Sequence, residues 1–295
     1  MPRTSMVDGF QLGYDVTGDG PPAVLLHGWP GDRTDYRHVV PLLAPTRQVV
    51  VPDLRGFGES DKHLADPREQ YGAAGQARSV IGLIEELRLD RPVLGGYDVG
   101  SRVAQRVASE RPDLICGLAL SPPLPGVAER VFGERAQREF WYQAFHQLTL
   151  VEQLIDGRPE AVRDYLLYFW SHWSGPDFEP GIDHLVRGYA EPGAFSASIS
   201  WYRAGAGTVA ASAAERQPDP EHRIATPTVV VWPEHDPLFP REWSDRLPAF
   251  FRDVELRPVD GVGHFTPLEC PEAFADAVMS LQEGPDKRSP RLPPG

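Results

Sequence analysis

The chain has 295 residues, 41% of them hydrophobic and 24% charged, with a formal net charge of -13. That length fits one sizeable domain plus an insertion. The acidic balance excludes the basic footprint that nucleic acids and anionic membrane surfaces require, and two cysteines, Cys116 and Cys270, are too few for a disulfide framework.

The N-terminus has no apolar signal-peptide core, and no apolar run approaches a membrane span. The expectation is therefore a cytoplasmic protein in a reducing compartment, as a monomer or homodimer. Cys116 then reads as a small buried thiol and Cys270 as part of a surface turn.

In chain order, Gln11 to Thr17 reads as an early strand closed by the Gly18-Asp19-Gly20 turn. Ala23 to Leu26 is a buried strand running into His27-Gly28-Trp29-Pro30. Tyr36 to Leu43 has helical spacing, Gln48 to Val51 is the next strand, and Gln76 to Leu87 is an amphipathic helix. The short strand Pro92 to Gly95 leads into Gly96-Tyr97-Asp98-Val99-Gly100. A helix over Ser101 to Ala108 and a strand over Ile115 to Leu120 follow.

At Ser121-Pro122-Pro123-Leu124-Pro125 the alternation stops, and as far as about Pro220 the chain is helical and rich in aromatics. It resumes with the β-branched run Thr228 to Trp232, the strand Val254 to Val259 and a helix over Pro271 to Leu281. Alternating strands and helices predict an α/β fold with a mostly parallel sheet flanked by helices. Residues 1–121 and 223–283 would form the core, 122–222 an inserted helical cap, and 284–295 a disordered tail.

The stretch around Asp98 has the form of a nucleophile elbow, a sharp strand-to-helix turn flanked by small residues that exposes the central side chain. Here that side chain is a carboxylate. It can attack carbon directly to form an alkyl ester, where a serine would be acylated. Ser101 is off the apex, so esterase chemistry ranks low. Ester hydrolysis then needs a base, an acid to orient it, and oxyanion donors. His264, in Gly263-His264-Phe265, and Asp236, in Glu234-His235-Asp236-Pro237, both follow predicted strands. Glu234 is an alternative acid one turn too early. The backbone N–H groups of Trp29 and Val99 are the natural oxyanion donors. The chemistry needs water and calls for no cofactor or metal.

The pieces His27-Gly28-Trp29-Pro30, Asp53-Leu54-Arg55-Gly56-Phe57-Gly58-Glu59-Ser60, the aspartate elbow and the Gly263-His264 loop together resemble the epoxide hydrolase group of the α/β-hydrolase superfamily. The resemblance covers nearly the whole chain and implies an eight-stranded type of sheet. It also implies two cap tyrosines that hold and protonate the epoxide oxygen. Phe140-Trp141-Tyr142-Gln143 and Trp201-Tyr202-Arg203 are similar to the segments that carry them, although both tyrosines also fit an ordinary aromatic core. Trp29, Phe145, Trp201 and Phe265 are then expected to line a pocket for an apolar or aryl epoxide.

Val99 stands where the group usually has Trp. Haloalkane dehalogenases use that Trp on the departing halide, so its absence counts against them. Fluoroacetate dehalogenases have a cap segment similar to Tyr202-Arg203-Ala204-Gly205 and an arginine placed like Arg102. They also have a second Arg and a cap His-Trp where this chain has Val99 and Tyr142-Gln143. Haloalkane or haloacid dehalogenation is thus the alternative, and a non-catalytic ligand-binding role is the lesser one.

Overall fold

The computed structural model describes residues 1–63 and 65–281; the expected tail lies outside them. Among the described residues seven strands are present: β1 (Tyr14–Thr17), β2 (Pro22–Leu26), β3 (Gln48–Pro52), β4 (Val93–Gly96), β5 (Gly117–Leu120), β6 (Thr228–Pro233) and β7 (Val254–Val259). They lie in the order β1-β3-β2-β4-β5-β6-β7. β1 runs antiparallel to β3, and every other pairing is parallel. In place of an eighth strand, the N-terminal residues form isolated bridges, Arg3 with Gly13 and Val7 with Phe10.

Burial explains the composition of the strands. All residues of β4, β5 and β6 are buried, so these strands are continuous apolar runs rather than alternating ones. β7 is an edge and carries Glu255 and Arg257, which pair at 2.7 Å; charge on an edge strand discourages pairing with another chain. The helices Ala73–Glu86 and Val99–Glu110 pack on each other, and Val99–Glu110 and Pro271–Ser280 pack on the strands.

Between β5 and β6 the chain leaves the sheet for a helical insertion. Its longest helix, Pro159–Trp173, buries Val162, Leu166, Phe169, Trp170 and Trp173, a spacing that places them on one face. The insertion is fastened to the sheet side by directed contacts. The Trp170 indole N–H donates to the Pro30 carbonyl at 2.9 Å, and the Tyr189 hydroxyl donates to the Gly31 carbonyl at 2.9 Å. The Trp170 ring stacks on Phe265 at 3.8 Å and 4°.

Two local expectations change. The helix expected over 36–43 is a 3₁₀ turn, Arg33–Tyr36, followed by a short helix, Val40–Leu43. Asp32 starts the turn by accepting the Thr34 N–H, and Pro41 opens the short helix, where its missing N–H costs nothing. Cys270 is not on a surface turn. It is buried, with Sγ donating to the Thr266 carbonyl at 3.2 Å, while Cys116 is half-buried. Among the described residues no helix is long and apolar enough to cross a membrane.

Candidate active site

Asp98 joins β4 to the helix Val99–Glu110 with φ 47° and ψ -122°. For a residue with a Cβ this conformation costs about 1–3 kcal/mol and persists only where its surroundings impose it. Here the Asp98 N–H donates to the Pro122 carbonyl at 2.9 Å, and the Ser121 N–H to the Gly96 carbonyl at 2.9 Å. Gly100 lets the first helical turn close onto β2, since a Cβ there would sit 1.9 Å from the Leu26 carbonyl oxygen. Below the turn the Tyr97 hydroxyl donates to Asp35 Oδ2 at 2.6 Å. Burial, with Asp32 adding to it, holds the Asp35 carboxyl well above the usual range.

Strand ends bring the remaining groups together. Trp29, after β2, donates its backbone N–H to Asp98 Oδ1 at 2.7 Å. His264, after β7, places Nε2 3.5 Å from Asp98 Oδ2 and Nδ1 2.9 Å from Asp236 Oδ2. Asp236, after β6, accepts the Leu238 and Phe239 N–H groups on Oδ1 at 2.8 and 3.3 Å, which aims Oδ2 at the imidazole. All three side chains are buried. Burial opposes charge on His264, but Asp236 and then Asp98 outweigh it and raise its pKa to about 10. The resting imidazole is therefore a cation between two carboxylates. Val99 starts its helix, so its N–H is among the donors with no partner inside the helix. Glu234, the alternative acid, is exposed and accepts the Gly261 N–H at 2.9 Å.

The His264 loop is held by the insertion. Its N–H donates to the Trp173 carbonyl at 2.8 Å. Gly263 packs backbone against backbone there; a Cβ would lie 2.3 Å from the Gly175 nitrogen. Glu269 gathers three amides across this seam, Gly175 at 2.7 Å, Gly263 at 2.8 Å and Phe265 at 3.0 Å. The sequence offers no signal for this role, because one of the three partners is 94 positions away. The same holds for Asp35, whose partner Tyr97 is 62 positions distant.

A small cavity of about 10 Å³ borders Asp98, Val99, Arg102, Tyr142, Gln143, Trp201 and Tyr202. The Tyr142 and Tyr202 rings meet edge to face at 5.5 Å, and Tyr142 stacks on Trp29 at 5.5 Å and 6°. Burial raises both phenols, with Asp98 adding to Tyr142 and Tyr142 adding to Tyr202, so both hydroxyls are protonated donors. Gln143 donates to the Tyr142 hydroxyl at 3.2 Å and accepts the Val209 N–H at 3.0 Å. Of the residues expected to bind substrate, Trp201 borders this cavity. Phe145 packs against Trp141 and Tyr165, Phe265 is fully buried against Trp170, and the Trp29 indole is enclosed by Tyr142, His146, Phe169 and Trp173.

Residues 23–277 match the Alpha/beta hydrolase family. The chain is 28% identical to a soluble epoxide hydrolase of Corynebacterium sp. (strain C12), covering 94% of this chain and 95% of that one. Over 199 residues it is 31% identical to a fluoroacetate dehalogenase of Burkholderia sp., covering 66% of this chain and 65% of that one. The solved epoxide hydrolase CorEH without ligand superposes with a TM-score of 0.79 at 26% identity, covering 95% of this chain and 97% of that one. A mostly parallel sheet, an aspartate elbow and a buried histidine between two carboxylates agree with these likenesses: the chain belongs to the alpha/beta hydrolase family and is related within it to epoxide hydrolases and dehalogenases.

Proposed function

We propose that the protein hydrolyses an epoxide to a vicinal diol through an alkyl ester on Asp98, without metal or organic cofactor. The observation that carries this reading is the pair of protonated phenols, Tyr142 and Tyr202, bordering the same cavity as Asp98. An alkoxide is a poor leaving group, so ring opening needs a proton donor facing the nucleophile.

The Trp29 N–H engages Oδ1 and leaves Oδ2 to attack a ring carbon. The C–O bond breaks, an ester bond forms, and the phenols deliver a proton to the departing oxygen. Alkylation removes the negative charge from Asp98, one of the two carboxylates that raise His264. The imidazole then gives up its proton, which restores the phenol deprotonated in ring opening, and becomes the base. It takes a proton from a water that attacks the ester carbon. The Trp29 and Val99 N–H groups hold the oxyanion on Oδ1 until the ester bond breaks; the departing alkoxide takes the proton of the regenerated Asp98 carboxyl, and the diol leaves with Asp98 ionised and His264 protonated as at the start.

The test is intact-mass spectrometry of His264→Gln after exposure to an epoxide and, separately, to a haloalkane and a haloacid. A mass gain equal to the entire epoxide is expected, because the ester forms and persists without its base. A gain of the alkyl group without halogen, from the halide compounds alone, would overturn the reading in favour of dehalogenation.

A further inference from the structure

Two buried polar residues lie under the active site and take no part in the proposed steps. The Tyr97 hydroxyl donates to Asp35 Oδ2 at 2.6 Å, and both side chains are sealed from solvent. The other carboxyl oxygen, Oδ1, has no hydrogen-bond partner among the described residues. A buried carboxyl with one oxygen unpaired costs free energy, and two apolar residues of the same shape would fill the space without that cost. The pair therefore calls for a reason beyond packing.

Its surroundings supply one. The turn Gly28-Trp29-Pro30-Gly31, closed by the Gly31 N–H on the Gly28 carbonyl at 3.2 Å, is seated on the pair at both ends. A Cβ on Gly28 would lie 3.0 Å from Tyr97 Cε2 and 2.5 Å from Asp98 Cβ. A Cβ on Gly31 would lie 1.9 Å from Asp35 Oδ2 and 3.0 Å from the Tyr97 hydroxyl oxygen. Between the two seats stands Trp29, whose backbone N–H meets Asp98 Oδ1 at 2.7 Å. The carboxyl is itself anchored, since the Asp35 N–H donates to the Asp32 carbonyl at 3.0 Å within the turn Arg33–Tyr36. The Tyr97 ring also meets His264 edge to face at 6.0 Å.

We propose that Asp35 and Tyr97 are positioning residues that hold the Trp29 N–H in line with Asp98 Oδ1 while that oxygen carries the oxyanion. The chemistry rests on the ester mechanism of the proposed function, though not on an epoxide as the source of the ester. In ring opening Oδ1 passes from carboxylate to ester carbonyl, and the hydrogen bond to it weakens. When water adds to the ester carbon, a water proton goes to His264 and the carbonyl electron pair moves onto Oδ1, where the N–H bond is strongest. The electron pair returns as the ester bond breaks. Misalignment of the turn therefore slows ester hydrolysis and spares ring opening, whereas a general loosening of the fold slows both.

Single-turnover mass spectrometry of the Asp98 adduct reads the two steps apart. Tyr97→Phe and Asp35→Ala are each expected to slow decay of the ester by about tenfold to 10²-fold, with ester formation nearly unchanged. Asp35→Asn, whose amide oxygen still accepts the phenol, should recover most of the loss. If the slowed variants do not fold, Asp35→Leu/Tyr97→Phe serves. It removes both polar groups at similar shape and should keep the wild-type Tm while its ester decays slowly. Ester decay at the wild-type rate, equal slowing of both steps, no recovery in Asp35→Asn or, where the double variant is needed, its failure to fold would overturn the proposal. An epoxide and an organic halide are both offered as sources of the ester. An adduct from the halide alone would sink the epoxide reading and leave this test intact, because the decay is the same step. No ester from either would overturn both.

Discussion

In the sheet every residue of β4, β5 and β6 is buried, while the insertion leaves Phe132, Trp141, Leu148 and Tyr168 between 41% and 55% exposed. The sheet side places carboxylate, imidazole and carboxylate within 3.5 Å steps at the ends of β4, β7 and β6. The insertion places phenols, an amide and aromatic rings around them on helices only a few residues long. The difference separates two tasks. On the proposed mechanism, the strands hold the groups that make and break bonds, and the insertion decides what reaches them.

The sharpest way to break that division is at the nucleophile. Asp98→Ala is expected to lower turnover by about 10⁴-fold or more while leaving the fold intact by circular dichroism, and a variant with appreciable activity would end the covalent mechanism. Tyr202→Phe sharpens the comparison from the other side. Pre-steady-state kinetics should find ring opening slowed by about 10²-fold and ester hydrolysis nearly unchanged; equal slowing of both steps would place Tyr202 in the packing alone.

The smallest effect is on pH. His264 is raised from an unfolded value of about 6.5 to about 10, so its charge stabilises the fold fully below about pH 6.5. That contribution is lost as the pH climbs through the folded value. Urea unfolding at pH ~6 and pH ~9 should therefore show the advantage of wild type over His264→Gln shrinking at the higher pH. A constant difference would mean that the imidazole is neutral in the resting protein.

The sheet-side groups were legible in the sequence because their signals are local. A short apolar strand, small residues around Asp98 and a helical run after it occupy consecutive positions, and Asp236 and His264 directly follow recognisable strands. The cap was legible as a composition only. Its helices Trp141–Phe145 and Ser200–Arg203 are too short to display a periodic face, so nothing local distinguishes Trp201, at the cavity, from Phe145, packed on Trp141. Asp35, Gln143 and Glu269 were illegible for a different reason. A buried polar residue is defined by its partner, and the partners of these residues lie as far as 94 positions away. Cys270 reads as a turn residue from its flanking sequence, but it is buried, with its Sγ donating to the Thr266 carbonyl.

The seam between Trp173, Gly175 and the His264 loop bears on how such proteins diversify. If the insertion, with its long helix Pro159–Trp173, were a detachable module, recombination between relatives could exchange specificities freely. Here the end of that helix supplies the carbonyl that receives the His264 N–H, and Glu269 stitches both sides together. A transplanted insertion would arrive with a foreign end against His264. A change in what the cavity accepts is therefore more accessible through single replacements around it than through exchange of the whole insertion.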